Sequence, residues 1–203
     1  MAATVFLVRH AVHDRVDHIL CGRMPGVRLG EAGRAQAAAL AARLATQRIG
    51  AVHASPLERA QETAAPLAAR LGLPLRTEAA FAEIDVGEWT GVAFVALAAD
   101  PRWRRWNEAR GTARAPGGES MAEVQARAVA GIEDLRRAIP DGRVAVVSHA
   151  DVIKAALAAF LGLSLDDIWR FEIAPASVSA LAVWPGGGKV LGLNACGTEA
   201  VTA

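Results

Sequence analysis

Thr4-Val5-Phe6-Leu7-Val8 runs directly into Arg9-His10, and Arg143-Val144-Ala145-Val146-Val147 runs the same way into Ser148-His149. Both are short, continuous apolar runs rich in β-branched residues, the pattern of strands buried on both faces beneath covering helices. The chain between and after them supplies those helices. Ala37, Leu40, Ala41 and Leu44 recur at helical spacing within 31–47. Ala51–Ala54 reads as a third strand. Ser55 as N-cap, Pro56 at the first helical position and Glu58 then open a helix striped by Leu57, Ala60, Ala64, Leu67, Ala68 and Leu71. Ser120 and Glu123 form a capping box for a helix to about Ala138, with Val124, Ala128, Ile132 and Leu135 facing inward. A further helix follows from Asp151 to Leu161, and looser strands are expected near 170–173, 177–183 and 189–193, punctuated by Pro175 and Pro185-Gly186-Gly187-Gly188. Alternation of strand and helix predicts an α/β fold, three layers α/β/α around a largely parallel sheet. The stretch 81–118 differs in texture, holding Trp89, Trp103 and Trp106 of the five tryptophans, and reads as a small cap insertion over one sheet edge. No repeat or linker divides the chain, so residues 1–203 are expected to form a single domain, given roughly 150 residues per domain.

Composition narrows the function classes. The chain is 53% hydrophobic and 21% charged, a soluble globular mixture with enough length to bury a core. A net charge of +1 argues against a broad nucleic-acid or membrane footprint. All but two of the 22 basic residues are Arg, the exceptions being Lys154 and Lys189. Two cysteines, Cys21 and Cys196, exclude a disulfide framework and a four-cysteine zinc site. Cys21 also fails as the nucleophile of a C-x5-R loop, because Val27 stands where the arginine belongs. No apolar run approaches the roughly 20 residues of a membrane span, and Met1 to Arg9 lacks the build of a secretory leader, so a cytoplasmic setting is the default.

In open α/β sheets, ligands bind beyond the carboxyl ends of the parallel strands. Both buried strands end there in a histidine, His10 beside Arg9 and His149 beside Ser148. Arg59, in the first turn of the helix after the third strand, opens onto the same rim. A cation there opposes the positive helix N-terminus, and a bound anion relieves the conflict; pairing with Glu58 or Glu62 is the plainer alternative. Two histidines and two arginines on one rim describe a pocket for a tetrahedral oxyanion. His10 then serves as nucleophile or base.

Four blocks stand in order: Leu7-Val8-Arg9-His10, Ser55-Pro56-Leu57-Glu58-Arg59-Ala60-Gln61-Glu62-Thr63-Ala64, Glu83-Ile84-Asp85-Val86-Gly87-Glu88-Trp89-Thr90-Gly91 and Val147-Ser148-His149. In these the chain resembles the histidine phosphatase superfamily, phosphoglycerate-mutase-like branch, over roughly residues 4–185. The resemblance implies His10 as the phosphoryl-accepting nucleophile, with Arg9, Arg59 and His149 completing the phosphate pocket. It implies Glu83 as proton donor to the leaving oxygen, for which a carboxyl kept protonated by burial is suited. Asp85 and Glu88 are its understudies.

The departures from the family pattern carry their own expectations. The family continues R-H-G with a Thr and an Asn; here the positions are Ala11, His13 and Val16. Ala11 alters the loop if a positive φ is needed there. Val16 has no donor, and Arg15 or His13 is expected to fill that role. Cys21-Gly22 is expected to approach substrate through backbone. Arg23 is either a contact for a second anionic group or a solvated surface residue. The sequence after Glu83 looks more like the phosphatase members than the mutases, so the expected activity is a metal-independent phosphomonoesterase, with mutase-type transfer as the alternative. The expected partner is a small phosphorylated molecule, with no cofactor; the sequence leaves room for a homodimer. A metal-dependent hydrolase using His10, His13, Asp14, Asp17 and His18 is a rival, weakened by the neighbouring arginines and the lack of an H-E-x-x-H framework. An idle phosphate-binding module is the other, kept open by Ala11 and Val16.

Overall fold

A computed structural model describes residues 2–197. Strand β1 (Ala3–Arg9) lies inside a six-stranded sheet with β2 (Ala51–Ala54), β3 (Leu75–Thr77), β4 (Arg143–Ser148), β5 (Val178–Trp184) and β6 (Gly187–Ala195), in the order β3-β2-β4-β1-β5-β6. The first four of that order run parallel, and β5 and β6 are antiparallel additions. The doubly apolar reading of β1 matches its burial: Val5 and Leu7 join the core on one face, Phe6 and Val8 the core on the other. Helices α1 (Glu31–Leu44) and α2 (Glu58–Leu71) cover the Phe6 face through Leu40, Leu44, Ala64 and Leu67. Short helices α3 (Phe94–Leu97) and α4 (Pro101–Glu108) precede α5 (Met121–Ala138) and α6 (Ala150–Leu161), which cover the Val5 face. None of these helices is long and apolar enough to cross a membrane.

Two local expectations need correction. Ser55 is not the N-cap of α2: residues 56–57 form a bend and the helix starts at Glu58 after an extended Leu57, while the Ser55 hydroxyl accepts from the Leu57 N–H and also meets a partner described below. The capping box at Ser120 and Glu123, by contrast, is complete. No strand forms at 170–173. A 3₁₀ helix occupies Leu165–Arg170, and the polar groups beyond it bond to side chains, the Ile173 carbonyl to Arg9 and the Ala174 N–H to Asn194 Oδ1. The short strand β3 had no hydrophobic alternation to announce it, since only Leu75 of its three residues is apolar.

The stretch 81–118 is built around its tryptophans. Trp89 meets Trp103 edge-on with centroids 5.3 Å apart and Trp106 at 6.1 Å, while Asp100 both caps α4 and accepts the Trp89 indole N–H. Such edge-to-face pairs add stability beyond their buried area. Residues 91–94 run beside the loop after β1: Leu20 donates to the Val92 carbonyl, and Gly91 and Phe94 donate to Leu20 and His18. This brings Phe94 to the rim of the sheet.

Candidate active site

Strand register alone brings the two histidines together. β1 and β4 pair in parallel with Arg9 opposite Ser148, so the next residues, His10 and His149, leave the sheet side by side, and the His10 N–H donates to the Ser148 carbonyl at 2.9 Å. β2 sits on the other side of β4 with Ala54 opposite Val147, and Ser55 donates to the Val147 carbonyl. The following bend delivers Arg59 from the start of α2. Arg9, His10, Arg59 and Glu83 thus line one cavity of about 130 Å³, together with His13, Val16, Asp17, Ile19, Leu20, Cys21, Gly22 and Phe94.

The geometry fixes the chemistry of His10. Its Nδ1 lies 2.8 Å from the Ala11 carbonyl, which can only accept, so the neutral ring carries its proton on Nδ1 and keeps a lone pair on Nε2. Burial, reinforced by Arg59, holds its pKa well below the usual histidine value. The imidazole is therefore held neutral at neutral pH, with its Nε2 lone pair free. Ala11 needs no left-handed backbone: its φ is negative, its side chain is buried against Leu29 and Ala37, and its N–H donates to Thr63 Oγ1 at 3.0 Å.

Near His10 stand buried donors without acceptors. Arg59 is 1% exposed; its Nη2 donates to the Gly22 carbonyl at 2.8 Å, while Nε and Nη1 have no partner. Arg9 donates through Nη1 to the Ile173 carbonyl at 2.7 Å and has an unpartnered Nε. Burial lowers the pKa of both arginines from its usual value, opposed in each case by Glu83. Glu58 and Glu62 do not neutralise Arg59 by direct pairing. Glu58 accepts from the Gly26 N–H, and Glu62 accepts from Arg28 and from the Leu29 N–H. His149 is fully buried, with Nε2 at 2.8 Å from the Ser55 hydroxyl. That hydroxyl accepts from the Leu57 N–H and has no other acceptor for its proton among the described residues, so it donates to Nε2 and His149 presents an unpartnered Nδ1–H. Unpaired buried donors of this kind are costly, and their clustering beside two guanidinium groups marks an anion site.

Glu83 shares the cavity with His10 and faces His149. Its Oε2 is 3.6 Å from His149 Nδ1, and its Oε1 accepts from the Ile84 N–H at 2.9 Å. Burial first, then the Asp151 carboxylate, push its pKa up to about 7, against the opposing pull of Arg59. The understudies are engaged elsewhere: Asp85 accepts from the Gly87 N–H, and exposed Glu88 pairs with Arg102.

The remaining expected residues divide. Cys21 and Gly22 line the cavity, and Gly22 acts through its carbonyl on Arg59. Burial pushes the Cys21 thiol up, so it stays protonated. Arg15 and Arg23 are not among the lining residues. Arg15 is exposed, with Nη1 3.5 Å from Met24 Sδ. Arg23 donates through Nε to the Glu83 carbonyl at 2.7 Å and through Nη2 to Glu119 at 2.9 Å. Its partners are thus the support of Glu83, and the anionic contact expected from the sequence is not where the side chain points.

Sequence reasoning missed that support. Glu119 also binds Arg127 and accepts from the Asp85 N–H, while Arg127 donates to the carbonyls of Ala80, Ala82 and Glu83. The signal was the Gly117-Gly118-Glu119 turn before the capping box, since a side chain on Gly118 would collide with the Asp85 carbonyl. Glu119→Ala leaves two partly buried guanidinium groups without their carboxylate. An expected cost of about 1–3 kcal/mol, a fall in Tm of about 2–12 °C, is checked by thermal unfolding. Ser55 and Thr63, which orient His149 and Ala11, lay inside the motif block but carried no separate signal.

Comparison with known proteins agrees with this geometry. Residues 5–195 match the family model described as the histidine phosphatase superfamily (branch 1). Phosphoserine phosphatase 1 of Hydrogenobacter thermophilus is 33% identical over 195 residues, covering 94% of this chain and 91% of that protein. Glucosyl-3-phosphoglycerate phosphatase of Mycobacterium tuberculosis is 33% identical over 164 residues, covering 74% and 73%. Among solved structures, YhfR of Bacillus stearothermophilus superposes with a TM-score of 0.91 at 26% identity, covering 97% of this chain and 99% of that one. The parallel strand ends, the paired histidines and the match over nearly the whole length lead to one assignment: the chain belongs to the histidine phosphatase superfamily, branch 1.

Proposed function

We propose that the protein is a metal-independent phosphomonoesterase that acts on a small phosphorylated metabolite through a phosphohistidine intermediate. The observation that carries this reading is that His10, whose Nε2 keeps a lone pair, shares a cavity with Arg9 and Arg59 and adjoins His149, all three carrying buried N–H donors that lack acceptors. The phosphoryl oxygens satisfy those donors, and the two guanidinium groups offset the charge that would repel the nucleophile. His10 Nε2 forms the N–P bond as the ester P–O bond breaks, and protonated Glu83 delivers its proton to the departing oxygen. Glu83, now a carboxylate, takes a proton from water as the water oxygen attacks phosphorus, releasing inorganic phosphate and His10. The names of the two sequence relatives support a phosphatase and small phosphorylated substrates. Val16, Ile19, Leu20 and Phe94 give the leaving group an apolar wall.

Among the described residues, no three His, Cys, Asp or Glu side chains gather as metal ligands do. The purified protein is expected to hydrolyse p-nitrophenyl phosphate equally well with and without EDTA. Vanadate, whose trigonal-bipyramidal form mimics the transition state, is expected to inhibit it. Loss of turnover in EDTA, restored by a divalent cation, overturns the metal-independent reading. Absence of turnover on aryl phosphate and on a panel of phosphorylated metabolites overturns the phosphatase reading altogether.

A further inference from the structure

Three imidazoles cluster, and two of them, His10 and His13, line the cavity. His13 stacks on His10 with ring centroids 5.3 Å apart and planes 29° from parallel, and His10 meets His149 at 5.1 Å. His13 is 7% exposed and lines the cavity. Its backbone is held firmly: it pairs with Leu29 in an isolated β-bridge, and the preceding Val12 N–H donates to Gln36 Oε1 at 2.9 Å. The next residue, Asp14, packs where any side chain on Gly30 would collide with its carboxylate.

The hydrogen bonding of the ring decides what it offers. The Arg15 backbone N–H donates to His13 Nδ1 at 3.2 Å, so Nδ1 holds a lone pair and the neutral ring carries its proton on Nε2. Burial first, then Arg59 and Arg9, push the His13 pKa down to about 4, which leaves the neutral ring as the form present at neutral pH. No acceptor among the described residues takes the Nε2–H. A donor of fixed tautomer, stacked on the nucleophile and aimed at no protein group, is suited to an oxygen of whatever His10 attacks.

We propose that His13 is a further phosphoryl-binding residue, its Nε2–H donating to a phosphoryl oxygen while that group is transferred to His10. The proposal rests on the phosphatase reading and deepens it. Of the two candidates left open by the sequence, His13 has the position, while Arg15 is exposed beside Met24. It also has the better chemistry for this spot. A neutral donor binds an anionic oxygen without adding a third cation beside Arg9 and Arg59, and it cannot protonate the His10 lone pair by proximity of a charged ring. Val16 contributes only an apolar surface to the cavity, so the donor is not duplicated there.

Three substitutions separate pocket donation from loop support. His13→Gln places an amide N–H near the Nε2 position but loses the short-range acceptor for Arg15. His13→Asn keeps that acceptor and has no donor reaching the cavity. His13→Phe keeps the stack and has neither group. The readouts are kcat/KM on p-nitrophenyl phosphate, the vanadate inhibition constant and the rise in Tm on adding vanadate. Loss of one hydrogen bond to a charged acceptor corresponds to about 10- to 150-fold. The expected result is that Asn and Phe variants lose about that much in kcat/KM and vanadate affinity, while the Gln variant retains most of both. The reverse order, Asn near wild type and Gln impaired, assigns His13 to the loop and overturns the proposal, as does a Phe variant equal to wild type. Should the Phe variant fail to fold, the Asn and Gln pair still decides. If the wild type shows no turnover, the phosphatase reading fails, and the vanadate-induced Tm shift across the same variants still reports whether His13 binds the oxyanion.

Discussion

His10→Ala is expected to lower kcat/KM by at least about 10⁴-fold on every phosphomonoester, leaving the fold intact. The substitution removes the Nε2 lone pair of the imidazole that adjoins the unpartnered donors of Arg9, Arg59 and His149. No neighbour can take over. His13 Nδ1 is occupied by the Arg15 N–H, and the His149 lone pair is taken by the Ser55 hydroxyl. Rapid quenching after mixing with ³²P-labelled substrate should trap acid-labile, base-stable label on the wild type and none on the variant. Label persisting in His10→Ala assigns the nucleophile elsewhere. The backbone bonds at this position, His10 N–H to Ser148 and Ala11 N–H to Thr63, survive the change, so circular dichroism should match the wild type.

The sheet and the paired histidines were legible because the physics behind them is local and repeated. A strand buried on both faces needs a continuous apolar run, and Val5 to Val8 and Val144 to Val147 supply two of them. Their parallel register then places His10 beside His149 without any information from elsewhere. Arg59 was legible through the helix that follows β2. The misses concern residues whose partners lie far along the chain. Ser55 has the residue type and spacing of an N-cap, but its hydroxyl is shared between the Leu57 N–H and the buried His149 Nε2, and the helix starts only at Glu58. Arg23 looked like a spare cation beside the pocket because local sequence does not show which carboxylate pairs with it. Its carboxylate comes from Glu119, which also holds the Glu83 loop through Arg127. The 170–173 segment had strand-like composition, yet its Ile173 carbonyl is taken by Arg9 and the following Ala174 N–H by Asn194, so no ladder forms. Local pattern reports burial and periodicity; it does not report which distant side chain claims a polar atom.

Glu83→Gln is expected to cost about 10²- to 10⁴-fold on alkyl phosphates and far less on aryl phosphates in the phosphorylation step. The reason lies in the leaving group. An alkoxide is too basic to depart without a proton, whereas p-nitrophenolate leaves as the anion. Glu83 is suited to hold that proton because burial and Asp151 push its pKa up to about 7, while its Oε1 stays oriented by the Ile84 N–H. The sign of the pH dependence follows. The protonated form is the acid, so it is present below about pH 7 and lost as pH rises through that value. The alkyl-to-aryl ratio of kcat/KM should therefore fall with a slope approaching one decade per pH unit on the alkaline side in the wild type. In Glu83→Gln the ratio should be low and flat, because the amide has no proton to give at any of these pH values. The same variant also lacks the base for the attack of water, so with an aryl substrate the phosphohistidine on His10 should accumulate and be trapped at near-stoichiometric levels. Equal losses on both substrate classes, with an unchanged pH dependence of their ratio, would move the acid role away from Glu83. Asp85→Asn is then the next variant to measure, although the Asp85 carboxylate already accepts from the Gly87 N–H.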